Sequence, residues 1–263
     1  MRRAIAWGVV CCLGLALLDG EARAVAQGSA TQNAVQTLDR GWQFRQVKDG
    51  QSPQDGWLAA TVPGDVHLDL LANKKIPDPF YRDNESKLQW IQDESWEYRV
   101  SFNVTPALLA RANVDLVFDG LDGPAKVYLN GNMVLTGTNS FRIWRVPAKS
   151  LLHAGQNDLR VEFASPVKAA AEIAARDPWQ PKTKTAAKTY LRKPAYEYGW
   201  DWGPTFVTSG IWKPVRLEAW DKVRIADFAI RQRDVSKDVA HIDAQVEVLR
   251  VPNSPPRCAR SRY

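Results

Sequence analysis

The sequence predicts an all-β protein whose main body is a sandwich of antiparallel sheets. Apolar and polar residues alternate with a period of two at 97–104, 114–119, 158–163 and 215–218, a pattern typical of strands with one buried and one solvated face. Asn130-Gly131 separates two apolar segments and favours a two-residue type I′ hairpin turn. Helical patterns are few, and many short strands with few helices indicate a β-sandwich.

Two segments predict helices. Residues 65–73 can form two turns, with Val66, Leu70 and Leu71 directed inward. An alanine-rich helix is predicted to begin after Ser165, which is suited to cap it. Pro166 follows directly and is suited to the first helical turn. Both are short beside the strands, so the predicted class stays all-β.

The pattern of a new sheet begins after Trp220. Segments 223–231 and 242–248 alternate like two strands, but an immunoglobulin-like sandwich needs about seven strands and roughly 100 residues. We therefore expect an incomplete immunoglobulin-like domain at 223–250. We also expect strand 241–250 to lack partner strands, which would leave 223–263 poorly ordered or loosely packed.

The last segment, 251–263, is expected to be an irregular tail. It contains three prolines and three arginines without apolar periodicity, and such a segment cannot continue a strand. The chain therefore looks cut off at this point, and a natural basic tail is the alternative.

Residues 1–26 predict a cleaved export signal. Arg2 and Arg3 precede an apolar run, and small-x-small sites end at Ala24 and Ala26. The run is shorter than the about 20 apolar residues of a membrane span, although an uncleaved N-terminal anchor is the alternative. The mature protein is therefore expected to be periplasmic or secreted, without a membrane partner.

Composition and charge exclude several classes of protein. The 263 residues are 45% hydrophobic and 24% charged, which is ordinary for a soluble globular protein. The net charge of +6 is concentrated at the ends, because residues 1–26 carry +1 and 251–263 carry +3. The body between them holds only +2, so a phosphate-binding face and a nucleic-acid partner are not expected.

No metal or cofactor is predicted. Residues 27–250 contain no cysteine, which excludes a disulfide framework and a thiolate metal site in that range. His67, His153 and His241 lie far apart in the sequence and are interpreted as isolated surface or capping histidines.

Tryptophan is the unusual residue of this chain. Five of the 11 tryptophans fall within 179–220, and two of them flank Asp201 in a segment bracketed by glycines, which indicates an irregular loop. An indole face can stack on a pyranose ring, and a carboxylate can accept hydrogen bonds from its hydroxyls. The alternative is that the indoles fill the sandwich and Asp201 caps a turn, because aromatic clusters are usually core.

Several motifs in one order resemble the N-terminal part of exo-β-mannosidases of glycoside hydrolase family 2. They lie at 38–42, 62–67, 76–85, 117–121, 127–131, 141–144, 192–195, 199–204 and 208–215. The resemblance implies a jelly-roll, galactose-binding-like domain, then an immunoglobulin-like domain and a (β/α)8 catalytic barrel. The jelly roll would span 27–222, and 223–250 would begin the second domain.

The resemblance also implies a reaction and a set of binding residues. The family removes terminal non-reducing β-D-mannose by a retaining mechanism, which needs two carboxyl groups about 5–5.5 Å apart. In the family both lie on the barrel, so no catalytic residue is assigned here and the chain alone is expected to be inactive. Trp200 would be a stacking wall and Asp201 a hydroxyl acceptor, with Trp202 on the same loop and Arg192 supporting Asp201 or the sugar.

The predicted partner is a β-mannoside oligosaccharide or glycoconjugate, and the domain would pack against its own catalytic barrel. The glutamate in Asn84-Glu85 resembles the family's acid/base, but no barrel strand precedes it, so it is rejected as catalytic. Two other functions stay open: a stand-alone carbohydrate-binding module, and a related family 2 specificity such as β-galactosidase or β-glucuronidase.

Overall fold

Two antiparallel sheets pack face to face in the computed structural model, which describes residues 33–47, 56–179 and 187–250. The predicted export signal and the predicted tail lie outside the described residues. In chain order the described strands are β1 (Ala34–Thr37), β2 (Gln43–Val47), β3 (Leu58–Ala59), β4 (Ser95–Val104), β5 (Asn113–Phe118), β6 (Ala125–Leu129), β7 (Asn132–Gly137), β8 (Trp144–Pro147), β9 (Gly155–Phe163), β10 (Val215–Trp220), β11 (Val223–Val235) and β12 (Ala240–Arg250). The described α-helices are α1 (Val66–Ala72), α2 (Asn84–Lys87), α3 (Pro106–Leu109), α4 (Pro166–Ala174) and α5 (Ala187–Tyr190).

The strand order is that of a jelly-roll sandwich. One sheet has the order β1-β10-β5-β8 and the other the order β3-β2-β4-β9-β6-β7, and the described strand pairs are antiparallel. Because β1 pairs with β10, the first described strand lies beside the last strand of the sandwich. The prediction of an all-β sandwich is confirmed.

Aromatic side chains fill the space between the sheets. Trp96, Tyr98 and Phe163 are at most 2% exposed, and the Phe44 ring centroid lies 6.0 Å from that of Trp96 and 5.7 Å from that of Tyr98. Burying such surface contributes about 25 cal/mol per Å². The sandwich therefore has a core that can stabilise it without disulfides.

The predicted alternation holds in β4, with one exception. Every second residue from 98 to 104 is buried, but Glu97, expected on the solvated face, is only 1% exposed. Its carboxylate lies 2.6 Å from Arg45 and 2.8 Å from Arg160. Paired charges can be buried in this way, whereas isolated ones cannot.

The prediction that one face of β5 is solvated is wrong. Asp115 and Val117 are buried, as are Val114, Leu116 and Phe118 on the other face. Asp115 accepts a hydrogen bond from the Trp220 indole at 3.0 Å and pairs with Arg145 at 3.0 Å. The outer face of β5 is therefore covered by side chains from β8 and β10, which a strand's own periodicity does not reveal.

The predicted type I′ turn is confirmed. β6 and β7 form a hairpin, and the two residues between them, Asn130 and Gly131, have φ angles of 49° and 80°. Both central residues of this turn type need positive φ, which asparagine and glycine tolerate best.

Both predicted helices form, but the residues that α1 buries differ from those predicted. Asp65 caps α1 by accepting from the backbone N–H groups of His67 and Leu68, and Ser165 caps α4. Val66 and Leu70 are buried as predicted, but Leu71 is 37% exposed and the inward positions include His67 and Asp69. Polar side chains take these positions because each has a hydrogen-bond partner in the sandwich.

β11 and β12 form a two-stranded sheet outside the sandwich. The pairing runs from Val223 opposite Arg250 to Val235 opposite Ala240, so the expectation that 241–250 lacks a partner strand is wrong. Both faces of this hairpin are exposed, as shown by Val246 at 47% and Leu249 at 40%, which lie on opposite faces of β12. Within the described part of the chain, no helix is long and apolar enough to cross a membrane.

Candidate functional site

Residues 199–204, called the Trp loop below, form a tight turn. The Trp200 N–H donates to the Gly203 carbonyl at 3.2 Å, and the Gly203 N–H donates back to the Trp200 carbonyl at 3.3 Å. Gly199 has a φ of 88°, and a Cβ there would lie 2.6 Å from the Thr205 hydroxyl oxygen. The turn therefore requires glycine at this position for both conformation and space.

The Trp loop is held at its base by α2 and the turn that follows. The Thr205 N–H donates to the Glu85 carboxylate at 2.7 Å, and the Gln89 side chain donates to the Thr205 carbonyl at 2.9 Å. Glu85, rejected above as a catalytic residue, thus has a structural partner on the loop.

The indoles of the Trp loop face solvent. Trp202 is 84% exposed, Trp200 is 54% exposed, and Asp201 between them is also exposed. The alternative interpretation, in which these indoles fill the sandwich, is wrong. Trp42 and Trp96, each 2% exposed, belong to the core.

Trp200 lines two neighbouring cavities. The larger, called the aromatic cavity, has a volume of about 670 Å³. Its lining is mostly aromatic, with one carboxylate, and includes Phe80, Tyr196, Glu197, Trp200, Trp202 and Phe206. The smaller, called the polar cavity, has a volume of about 440 Å³, and its lining includes Lys188, Asp201 and Thr205. One indole therefore borders both an apolar surface and a charged one.

A buried ammonium lies beneath the Trp loop. Lys193 has a side chain 1% exposed, and its Nζ lies 2.5 Å from Asp122 Oδ2 and 2.6 Å from Glu197 Oε2. Asp122 also accepts from the Ser140 hydroxyl at 2.9 Å, and Glu197 accepts from the Thr208 N–H at 3.2 Å. Two carboxylates thus share one ammonium.

This arrangement raises the pKa of Glu197 to about 7, because the carboxyl is desolvated and lies near the negative charge of Asp122. Lys193 opposes the rise without cancelling it. Burial, together with the charges of Glu197 and Asp122, also raises the pKa of the neighbouring Tyr198 phenol. The base of the loop is therefore an electrostatically unusual region.

His67 is buried, so its interpretation as an isolated surface or capping histidine is wrong. It is 9% exposed, its Nδ1 lies 3.0 Å from the Thr208 hydroxyl, and its ring packs edge-on against Phe206 at 5.4 Å. Burial lowers its pKa, and the nearby carboxylate of Asp65 opposes this effect. In the described segments, no three histidine, cysteine or acidic side chains are grouped as a metal site requires.

Arg192 lies apart from the Trp loop's cavities. Its side chain is exposed and its carbonyl accepts from the Ser140 N–H at 2.8 Å. Among the described side chains that line the two cavities, Arg192 is not present. Its proposed support of Asp201 stays a prediction.

Sequence reasoning missed Lys193, Asp122 and Glu197. Signals for the first two were present, since Lys193 lies inside the motif at 192–195 and Asp122 directly follows the motif at 117–121. The structure brings these motifs to one place, next to the motifs at 62–67 and 208–215.

Residues 42–213 match the glycosyl hydrolase 2 galactose-binding domain-like family. The chain belongs to glycosyl hydrolase family 2. Two curated relatives, each named beta-mannosidase B, are 40% identical over 198 residues (Aspergillus terreus) and 39% identical over 240 residues (Emericella nidulans). These matches cover 73% and 86% of this chain but 23% and 27% of the relatives. The chain thus spans about a quarter of the length of these family 2 relatives.

Solved structures share this fold as well. The crystal structure of a beta-D-mannosidase from Dictyoglomus thermophilum superposes with a TM-score of 0.76 at 38% identity, over 82% of this chain and 26% of that chain. A beta-glucuronidase from an uncultured Clostridium has a TM-score of 0.54 at 18% identity, over 82% of this chain and 34% of that one. The second likeness shows the fold alone.

Proposed function

We propose that this chain is the N-terminal, non-catalytic portion of an exo-β-mannosidase, and that the Trp loop helps to bind the terminal β-D-mannose. The observation that carries the proposal is the exposure of Trp200 and Trp202 on either side of an exposed Asp201. The relatives named beta-mannosidase B, at 40% and 39% identity, support the specificity.

The chemistry of the loop suits a neutral sugar. The C–H face of a pyranose packs on an indole, and a carboxylate accepts hydrogen bonds from two neighbouring hydroxyls. Trp200 and Asp201 offer these two groups from adjacent positions, and both border the polar cavity. Hydrogen bonds to a charged group contribute about 1.5–3 kcal/mol each, enough to orient a single sugar ring.

A β-mannosidase is favoured over the other family 2 specificities. The relatives at 40% and 39% identity are named beta-mannosidase B, and the carboxylate of a glucuronide would in addition meet that of Asp201 beside Trp200. The beta-glucuronidase likeness, at 18% identity, supports only a shared fold. A stand-alone carbohydrate-binding module would use the same exposed indoles, and the binding experiment below distinguishes it.

We further propose that the catalytic carboxylates of the whole enzyme lie outside this chain. Retaining hydrolysis needs two carboxyl groups about 5–5.5 Å apart with access to the glycosidic bond. Asp122 and Glu197 approach one another through Lys193, but their side chains are only 6% and 10% exposed and share its ammonium. A pair held in this way is suited to structure rather than to attack on a substrate.

The proposal includes the division of the chain at 27–222, 223–250 and 251–263, and export through residues 1–26. The arginines, apolar run and small residues at the N-terminus motivate export. Mass measurement of the mature protein should give an N-terminus at Val25 or Gln27. A mature protein that retains Met1 would contradict cleavage.

The sugar-binding role is tested by mutation of the Trp loop. Asp201→Asn and Trp200→Ala should each lower kcat/KM for an aryl β-mannoside in a full-length enzyme carrying this domain, by roughly one to two decades for Asp201→Asn. Asp238→Asn and Trp179→Ala are matched controls, because both residues are exposed and lie outside the two cavities. The controls should retain wild-type kinetics.

A melting curve measured on each preparation separates binding from folding. Wild-type kcat/KM with a lowered Tm in Asp201→Asn would assign Asp201 to the scaffold and contradict the proposal. Titration of this chain alone with mannose, followed by NMR, tests the module alternative. Saturable binding without the rest of the enzyme would favour a stand-alone module over a domain that completes a shared pocket.

A further inference from the structure

The Lys193 ammonium connects the sandwich to the Trp loop. On one side it contacts Asp122, which is fixed by the Ser140 hydroxyl and by backbone hydrogen bonds with Gly210 at 2.8 and 3.1 Å. On the other side it contacts Glu197, three residues before Trp200. Lys193 is buried to 1% exposure, so the linkage is shielded from solvent and from screening by salt.

Glu197 holds both chain segments at the base of the Trp loop. Its carbonyl accepts from the Phe206 N–H at 3.0 Å, and its carboxylate accepts from the Thr208 N–H at 3.2 Å. The segment that enters the loop is thereby tied to the segment that leaves it. A displacement of Glu197 would be transmitted to both ends of a turn of only six residues.

We propose that Lys193 is a positioning residue of the Trp loop: by linking Asp122 to Glu197, it sets the direction in which Trp200 and Asp201 face a ligand. That the ligand is a sugar rests on the proposed function. The positioning itself does not depend on sugar, because the contacts are present within this chain alone.

The charges around Glu197 make the linkage sensitive to pH near neutrality. Two carboxylates and one ammonium leave one excess negative charge in a buried place, and the pKa of Glu197 is raised to about 7 by burial and by Asp122. Below that pH Glu197 takes up a proton and its contact with Lys193 loses the attraction between charges. The other titratable groups near it are Tyr198 on the same segment, and Asp65 and His67 beyond Thr208.

Fluorine NMR of the chain labelled with 5-fluorotryptophan tests the linkage without any ligand. The Trp200 resonance, assigned with Trp200→Phe, should shift with pH with a midpoint near 7. The resonances of the core residues Trp42 and Trp96 should not follow that titration. In Glu197→Gln, which keeps the size of the side chain but cannot ionise, the Trp200 titration should be lost.

Two further variants check which groups are involved. Asp122→Asn should move the Trp200 midpoint to lower pH, because the negative charge that raises the pKa of Glu197 is removed. Glu218→Gln is the matched control: Glu218 is also paired with cations, at 2.6 Å from both Arg145 and Arg216, but lies on β10. It should leave the titration unchanged, and circular dichroism should confirm the fold of each variant.

A Trp200 resonance that does not change between pH 5.5 and 8.5, or that titrates equally in Glu197→Gln, would overturn the positioning role. In the second case a group other than Glu197 would be the one that titrates. A loop that titrates as expected but binds no mannose would instead contradict the proposed function and leave the role of Lys193 standing. The two failures are therefore distinguishable.

Discussion

Trp202 illustrates why the Trp loop is interpreted as a binding surface. An indole at 84% exposure leaves apolar area in water that folding would otherwise bury at a gain of about 25 cal/mol per Å². Phe80 and Tyr196 on the same cavity are also exposed, at 78% and 67%. Single exposed apolar residues need no explanation, but several aromatic rings around one concave surface indicate contact with a ligand or another domain.

Arg192 and Lys193 show how far the sequence can predict the burial of a single side chain. Arg192 and Lys193 are both basic and adjacent, yet the first side chain is exposed and the second is buried between two carboxylates. Their sequence gives no basis for choosing between them, because the partner Asp122 lies 71 residues away. The flanking glycines predicted an irregular loop, but they left open whether its indoles are exposed or fill the core, and only the family resemblance favoured exposure.

At the scale of the elements, the periodicity of the sequence predicted those features of strands and turns that neighbouring residues determine. The alternation in β4 and the Asn130-Gly131 turn were read correctly because each is set by neighbouring residues. The outer face of β5 and the orientation of Leu71 were not, because other elements decide them. Asp69 is an example: it lies on the inward side of α1 because the Tyr98 hydroxyl of β4 donates to it at 2.9 Å.

The β11–β12 hairpin is expected to exchange its amide hydrogens faster than the sandwich. It has a full ladder of pairs, but both faces are exposed, and an isolated two-stranded sheet is marginally stable in water. Native-state hydrogen exchange should therefore show weak protection at 242–248 and strong protection at 97–104 and 156–163. Equal protection in the hairpin and in β4 would mean that something covers the hairpin in solution.

At the scale of the whole molecule, the motifs that predicted the family also form one region. Asp65 of the motif at 62–67 accepts from the Thr208 hydroxyl at 3.2 Å, and Gly64 donates to the carbonyl of Ile211 at 2.9 Å. The segments that carry them are more than 140 residues apart in the chain. Motif order predicted the fold, whereas the contacts between motifs required the sandwich to bring them together.

Two buried carboxyl groups of this region should make the stability of the whole domain depend on pH. Burial raises the pKa of Asp69 from 3.8 to about 6, and that of Glu197 rises from 4.5 to about 7. In each case the folded state binds the proton more tightly than the unfolded state. Each group therefore favours folding at low pH, and its contribution is lost as the pH rises through the window between the unfolded and the folded pKa.

Each conservative amide removes the titration of one carboxyl group. His67 acts in the opposite direction, since its pKa is lowered and its contribution to stability is lost as the pH falls below 6.5. It is present in wild type and variant alike, so its contribution cancels in their difference.

Relative to wild type, Glu197→Gln should gain free energy of unfolding as the pH rises from about 4.5 to 7, and Asp69→Asn as it rises from about 3.8 to 6. Each gain should be on the order of 1–3 kcal/mol, because one unit of pKa corresponds to about 1.4 kcal/mol. Urea unfolding at intervals of half a pH unit measures the differences. In Glu218→Gln the difference should change with pH in the opposite sense, because burial raises the pKa of Glu218 but Arg145 and Arg216 together lower it below its ordinary value. A difference between Glu197→Gln and wild type that is flat from pH 4.5 to 7 would show that Glu197 ionises in the folded domain as freely as in the unfolded chain.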